Sequence, residues 1–462
     1  MTARAAEGFS GVVLVARGDT VLLEQGFGYL DAKRSVPVGA DSVFTTGSIT
    51  KQFTAAAILK LEMAGKLKTS DRLSQHLAGV PADKRDITLH QLLTHTAGFA
   101  PASGDDLEPI GRDAFVSLVL GRPLNGPVGT FKYSNVGYSL LAAVVERLSG
   151  QTYEAFLATQ LFTPAGMTDT GYSRPTWNQA RLAHATNDDG SDRGTFGEVA
   201  MPNGTPGWHL LGNGGILSTA RDMFNWHRAL VGTAVLNDAA KAQLFRGWVE
   251  EGGGSFYGYG WSIEDTPFGR LVAHNGGNSY FFADFLRYTD SGVMVYFATN
   301  NRDRAMRRLG LPLAQIVHTG RVLDQTEARS YAPAAPGSAG DRLARLFLDT
   351  IGADSATRRA RAPQIFAASL IERRGLDAVV AFFDRLKGDL GDAELRSIEQ
   401  SSGEAPAALR IKLSGPGGGH SVILTLDSGG EPRIAGIEVE MGTGDRAGDA
   451  SDWSPAQPRA PS

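Results

Sequence analysis

At 462 residues the chain is long enough for two or three domains, or for one large domain with an appendage, so an extensive core is available. Its 42% hydrophobic and 20% charged residues exclude a collagen, a coiled coil and global disorder. A formal net charge of -4 supplies no basic field for nucleic acid or anionic lipid, and the absence of cysteine excludes disulfides, thiolate metal sites and a thiol nucleophile.

The first eight residues are polar and lack the charged and apolar regions of a secretion signal. The chain therefore reads as cytoplasmic if this start is native, and as periplasmic if a leader has been removed. No apolar run approaches the roughly 18 residues of a membrane span. Residues 9–16 and 20–26 are β-rich and separated by Arg17-Gly18-Asp19, which predicts a hairpin. Residues 48–66 predict a helix that is apolar on nearly every side, closed by Gly65, and so buried in a large domain. Further helices are predicted at 89–94, 136–148 and 219–230, which makes the stretch from about 70 to 240 predominantly helical. Strand patterns return at 258–264, 270–274, 281–288 and 293–298, followed by a helix at 305–323. Strands at both ends with helices between them predict one α+β domain over 1–325, its antiparallel sheet completed by the later strands.

Residues 326–340 include Ala332-Pro333-Ala334-Ala335-Pro336-Gly337 and show no apolar periodicity, so they read as a linker. Helical patterns at 342–351, 360–373 and 376–387 precede strand patterns at 395–400, 408–413, 421–426 and 433–440. A small α+β domain over 341–442 follows, with helices packed on a curved sheet of cystatin-like type. The Gly/Ala/Asp/Pro/Ser-rich tail, 443–462, reads as disordered.

Three short segments carry candidate chemistry. In Gly47-Ser48-Ile49-Thr50-Lys51 the spacing puts the Ser48 hydroxyl and the Lys51 amine one helical turn apart on a shared face. A lysine among apolar neighbours can lose its charge and take the serine proton. Among ten lysines this is the only one with serine three positions before it. The plain alternative is a helix-capping serine beside a surface lysine. Tyr133-Ser134-Asn135 opens the 136–148 helix: Tyr133 can shuttle a proton, and Asn135 can offer an amide donor to substrate and an acceptor to Lys51. Here the alternative is that Ser134 or Asn135 caps the helix. His274-Asn275-Gly276-Gly277 follows the 270–273 strand, where glycines admit a close-lying acyl group and N–H donors. A turn with a packed imidazole would look the same.

Taken together, in this order and context, the three segments resemble the serine β-lactamase and penicillin-binding-protein superfamily. The likeness is to its class C β-lactamase-related branch, which includes DD-peptidases and family VIII carboxylesterases. Leu92-Leu93-Thr94-His95-Thr96-Ala97-Gly98 and Gly214-Gly215-Ile216-Leu217-Ser218-Thr219-Ala220 extend the resemblance, which covers about residues 9–324. It implies a β-lactamase/transpeptidase-like fold, an antiparallel sheet with an all-helical region. It further implies that Ser48 forms an acyl-enzyme, that Lys51 and Tyr133 share the proton work, and that the N–H groups of Ser48 and Gly277 bind the oxyanion. Asn135, His274 and Gly276 would line the substrate, and no metal or organic cofactor is implied.

β-Lactamases proper have lysine where this chain has His274. A histidine there is largely neutral at pH 7, which weakens recognition of a substrate carboxylate and turns the expectation toward esters, amides or peptides, with weak β-lactam hydrolysis beside them. The rivals are a DD-carboxypeptidase, an acyltransferase and a catalytically inert binding protein of the same fold. The resembled family also has a helix before its first strand. With only eight residues there, the expectation is that the C-terminal domain or a neighbouring chain covers that face, or that the start has been trimmed, with a homo-oligomer among the expectations.

Overall fold

The computed structural model describes residues 1–187, 189–201, 204–252, 254–301, 309–320, 330–391, 393–402, 407–415, 418–427 and 431–440. The chain divides into two compact units, Met1–Val322 and Leu323–Ser462.

The first unit is organised by an eight-stranded antiparallel sheet. Its order is Thr20–Phe27, Gly11–Arg17, Val293–Thr299, Phe282–Tyr288, Gly269–Gly277, Ser262–Thr266, Ser255–Tyr257, Val249–Gly252. The N-terminal hairpin joins the late strands through Gly11–Arg17, which pairs with Val293–Thr299. Chain ends far apart in sequence thereby share one sheet. On one face lies the helix Thr50–Met63, whose Phe53, Ala55, Ala56, Ile58 and Leu59 are fully buried. Helices Asn135–Ser149 and Ala220–Val231 share that core. The other face holds Val13, Val15, Val295 and Phe297 under the helix Gly310–Thr319. Alternation along each strand supplies both faces. Among the described residues no helix is long and apolar enough to cross a membrane.

Several sequence expectations shift. The 48–66 helix begins as a 3-10 turn, Gly47–Ile49, before the α-helix Thr50–Met63, because Gly47 turns the chain sharply at φ +53°. The strand expected at 258–264 is two strands, Ser255–Tyr257 and Ser262–Thr266. Gly260, at φ +77°, breaks them where the backbone passes tightly over Lys51: a Cβ at Gly260 would lie 2.8 Å from the Lys51 carbonyl oxygen. The strand expected to end near Ala273 runs on to Gly277, which places His274, Gly276 and Gly277 within the strand. Of the 305–323 helix, Gly310–Thr319 is helical, and residues 302–308 and 321–329 lie outside the described residues. The first residues include a short helix, Thr2–Ala6.

In the second unit, helices Ala339–Ile351, Ser355–Ile365, Ala368–Arg374 and Leu376–Leu390 pack on an antiparallel sheet. The sheet order is Ser330–Pro333, Glu394–Ser402, Ala408–Gly415, Gly418–Leu426, Ile434–Glu440. Phe347 and Phe383 from the helices, with Phe366 just past the end of Ser355–Ile365, meet Leu409, Ile411 and Val422 from the strands. Part of the expected linker is therefore structured: Ser330–Pro333 pairs with Glu399–Ser402, and Ser338 caps the next helix. Prolines suggested a linker, but an edge strand tolerates proline, since its outer N–H positions need no partner. The expected disordered tail, 443–462, lies outside the described residues.

Candidate active site

Ser48 sits on the 3-10 turn, partly exposed, while Lys51 on the first turn of the α-helix is wholly enclosed at 0% exposure. The Lys51 amine donates to Ser48 Oγ at 3.0 Å and to the Asn213 carbonyl oxygen at 2.7 Å. It also lies 4.8 Å from the centre of the Tyr133 ring and 5.7 Å from that of Tyr138. Burial holds the amine well below the ordinary lysine range, against a smaller opposing pull from Asp106. Ser48 does not cap the helix, so the plain alternative fails at this pair.

Burial pushes the Tyr133 phenol above the usual tyrosine value, and Ser48 beside it pulls weakly the other way. The plain alternative does hold for Ser134, which caps the helix Asn135–Ser149 by accepting from the Gly137 N–H at 3.3 Å. Asn135 does not meet Lys51 as expected: its Oδ1 is buried without a hydrogen-bond partner among the described residues, and the Asn213 carbonyl takes the acceptor position on the amine. Asn213 is the residue that the sequence reading missed. Its side chain donates to Ser139 Oγ at 2.8 Å and to the His209 carbonyl at 2.7 Å, which orients the backbone between Gly212 and Gly215. Both glycines have positive φ, so the run Gly212-Asn213-Gly214-Gly215 was the available signal.

The end of the Gly269–Gly277 strand packs on the Ser48 turn by backbone contact. A Cβ on Gly276 would lie 2.1 Å from the Thr46 carbonyl oxygen and 2.5 Å from the Ser48 nitrogen, and one on Gly47 would lie 2.6 Å from the Gly277 nitrogen. Only glycine fits at these contacts. Asn278 N–H bonds the Phe281 carbonyl across the ladder at 3.0 Å. Because N–H groups alternate in direction along an antiparallel pair, the Gly277 N–H points to the other side, where the Ser262–Thr266 strand has already ended. The N–H groups of Ser48 and Gly277 are thus neighbours.

His274 lies among Tyr133, Tyr257 and Lys51. Its Nδ1–H donates to the Asn275 carbonyl at 2.5 Å, which leaves Nε2 to accept from the Tyr257 hydroxyl at 3.1 Å. Burial, with Lys51 adding to it, pushes its pKa down to about 3, so the imidazole is neutral. Of the aromatic residues near this strand, Tyr257, Tyr259, Trp261 and Phe281 are buried core.

Residues 2–317 match the family model described as Beta-lactamase. Penicillin-binding protein 4 of Amycolatopsis lactamdurans is 30% identical over 321 residues, covering 63% of this chain and 80% of that protein. The solved penicillin binding protein from Bacillus halodurans has a TM-score of 0.58 at 27% identity, over 66% of this chain and 95% of that one. The octameric penicillin-binding protein homologue from Pyrococcus abyssi has a TM-score of 0.60 over 93% of this chain and 90% of that one; at 19% identity this likeness concerns the fold alone. With the expected α+β architecture also present, the chain belongs to the Beta-lactamase family, within the superfamily of serine hydrolases that includes the penicillin-binding proteins.

Proposed function

We propose that the chain forms an acyl-enzyme on Ser48 and hydrolyses an ester or amide, acting as a carboxylesterase-like enzyme. The observation that carries this reading is the 3.0 Å contact between a fully buried lysine amine and the partly exposed Ser48 hydroxyl. A desolvated amine is uncharged more readily and can accept the hydroxyl proton as Oγ attacks the carbonyl carbon. The oxygen that gains the charge is received by the Ser48 and Gly277 N–H groups, an arrangement worth about 10²-fold or more in rate. Lys51 and Tyr133, which meet at Ser48, return the proton to the leaving group. Water then attacks the acyl carbon and releases Ser48. Because the two groups are coupled, the resting proton is not assigned to either. Asn135 would hold the substrate's amide or ester side, its amide N–H donating to a carbonyl and its side-chain oxygen, which has no partner among the described residues, accepting from a substrate N–H.

Neutral His274 supports substrates without an obligatory carboxylate beside the reacting bond. The resemblance stated above supports a second reading, a peptidase acting on D-amino-acid peptides, and the curated relatives are named as penicillin-binding proteins. A panel of a short p-nitrophenyl ester, a penicillin and a D-Ala-D-Ala peptide, run on wild type and Ser48→Ala, separates them. Ester turnover that disappears in Ser48→Ala supports the first reading. Turnover confined to the peptide supports the second, and ester turnover unchanged in Ser48→Ala removes Ser48 from the mechanism.

A further inference from the structure

His95 ends the short helix Leu89–Leu93 with a backbone φ of +58°, a region that most side chains avoid, and is only 1% exposed. This conformation sends both its carbonyl and its imidazole toward residues 132–134. The His95 carbonyl accepts the Lys132 N–H at 2.8 Å, and His95 Nδ1 accepts the Ser134 N–H at 3.0 Å. One residue therefore grips the chain immediately before and immediately after Tyr133. The Tyr133 ring lies against the imidazole with centroids 4.2 Å apart and planes tilted by 37°. Tyr257 and Tyr138 close the box at 4.6 Å and 5.0 Å.

Since Nδ1 accepts from a backbone N–H, the proton of the neutral ring is on Nε2, which is buried without a partner among the described residues. A second proton would set N–H against N–H at Ser134. Around the ring stand the phenols of Tyr133, Tyr138 and Tyr257, the Lys51 amine and the His274 imidazole; among the described residues no carboxylate joins them to stabilise a charge.

We propose that His95 is the positioning residue of Tyr133, its imidazole and carbonyl acting as hydrogen-bond acceptors that set where the phenol stands against Ser48. The inference rests on the reading of Ser48, Lys51 and Tyr133 as the reacting groups. Two substitutions separate the acceptor from the ring. His95→Asn places an amide oxygen near the position of Nδ1 and tolerates the left-handed backbone, while His95→Phe keeps a ring and removes the acceptor. The readout is the rate of p-nitrophenyl ester turnover per site titrated with a fluorophosphonate. The rate per site is expected to fall about 10²-fold in His95→Phe with KM nearly unchanged, and His95→Asn is expected to recover about tenfold of that loss. Wild-type rates per site in both variants, with only fewer titratable sites, would mean that His95 merely supports folding and would overturn the proposal. Nitrogen NMR of the wild-type imidazoles is the second arm: His95 should stay neutral with its proton on Nε2 from about pH 5 to pH 8. A proton on Nδ1, or a ring that titrates in that range, also overturns it. If wild-type Ser48 takes no label, the hydrolase reading falls and the positioning role with it, whereas a labelled wild type with unaltered variants sinks the role of His95 alone.

Discussion

The Asn213 carbonyl oxygen accepts a 2.7 Å hydrogen bond from the Lys51 amine, so this buried lysine is anchored by main chain and not by a carboxylate. A carbonyl orients the amine without offering the full negative charge that would keep it protonated. Substitution at Lys51 should therefore separate chemistry from stability. Lys51→Met keeps the volume and removes the base, and ester turnover is expected to fall about 10³-fold. Its stability should remain within about 1 kcal/mol of wild type, because loss of the buried amine offsets the newly unpaired carbonyl. Lys51→Arg, which cannot release its proton, is expected to be equally inactive and to lose about 2 kcal/mol through overpacking. Denaturant melts beside ester assays check both; an active Lys51→Arg would contradict the role of a neutral amine.

The contact between strand end and nucleophile turn predicts the effect of a single methyl group. In Gly276→Ala the new carbon must find room where 2.1 Å separates it from the Thr46 carbonyl oxygen. That oxygen belongs to backbone and cannot swing aside, so the strand must move away from Ser48. A stability loss of about 3 kcal/mol is expected, together with a fall in turnover of about 10²-fold per folded molecule. Thermal melts and active-site titration measure the two effects separately. Retention of wild-type turnover would show that the strand end is not tied to the reaction.

Stability should depend on pH through the buried imidazoles. His227 and His274 are pushed down to about 3 by burial, with the Arg287 guanidinium and the Lys51 amine respectively adding to the effect. His95 is likewise held well below the ordinary histidine value, by burial first and then by Lys51 and His274. All three bind protons in the unfolded chain near pH 6.5 but not in the fold until far lower pH. The unfolded state then holds more protons, so the stability they confer is complete above about pH 6.5 and is lost as pH falls toward about 3. His227 and His274 each contribute up to about 1.4 kcal/mol per pH unit within that window, and His95 acts in the same direction. Urea denaturation at a series of pH values between neutral and mildly acidic tests this, and a flat profile would refute it.

Neutral His274 predicts a gain when a cation is introduced. In His274→Lys the ammonium replaces an imidazole that accepts from Tyr257, and a carboxylate-bearing penicillin should acylate Ser48 about tenfold faster at low substrate concentration. A neutral ester should gain nothing. Equal changes for both substrates would mean that the position does not read substrate charge.

Of the side chains singled out by residue type and spacing, Ser48, Lys51, Tyr133 and His274 stand together in the fold, their chemistry being carried by the side chains themselves, whereas Asn135 does not make the expected contact with Lys51. The Ser48–Lys51 pair in particular needs only three residues of local helix, and i,i+3 neighbours eclipse even in the 3-10 geometry found there. Asn213 was not legible in the same way, since its contribution to Lys51 is a carbonyl oxygen that every residue possesses. The break at Gly260 escaped strand periodicity because it comes from a close approach to Lys51, a contact made across about 200 residues of sequence. Ser330–Pro333 was misread for the opposite reason: local composition was plain, but whether a proline-bearing segment is a linker or an edge strand depends on a partner about 70 residues away.

The joint between Gly276 and the Thr46–Ser48 turn contains no side chain. Side-chain interfaces drift over generations, as one rotamer yields to a larger or smaller neighbour. A joint of bare main chain has no such intermediate steps, and it keeps its spacing or breaks. On the proposed reading, an acyl group of new shape would have to be accommodated by parts that do carry side chains, such as the loop around Tyr133, and not at this joint.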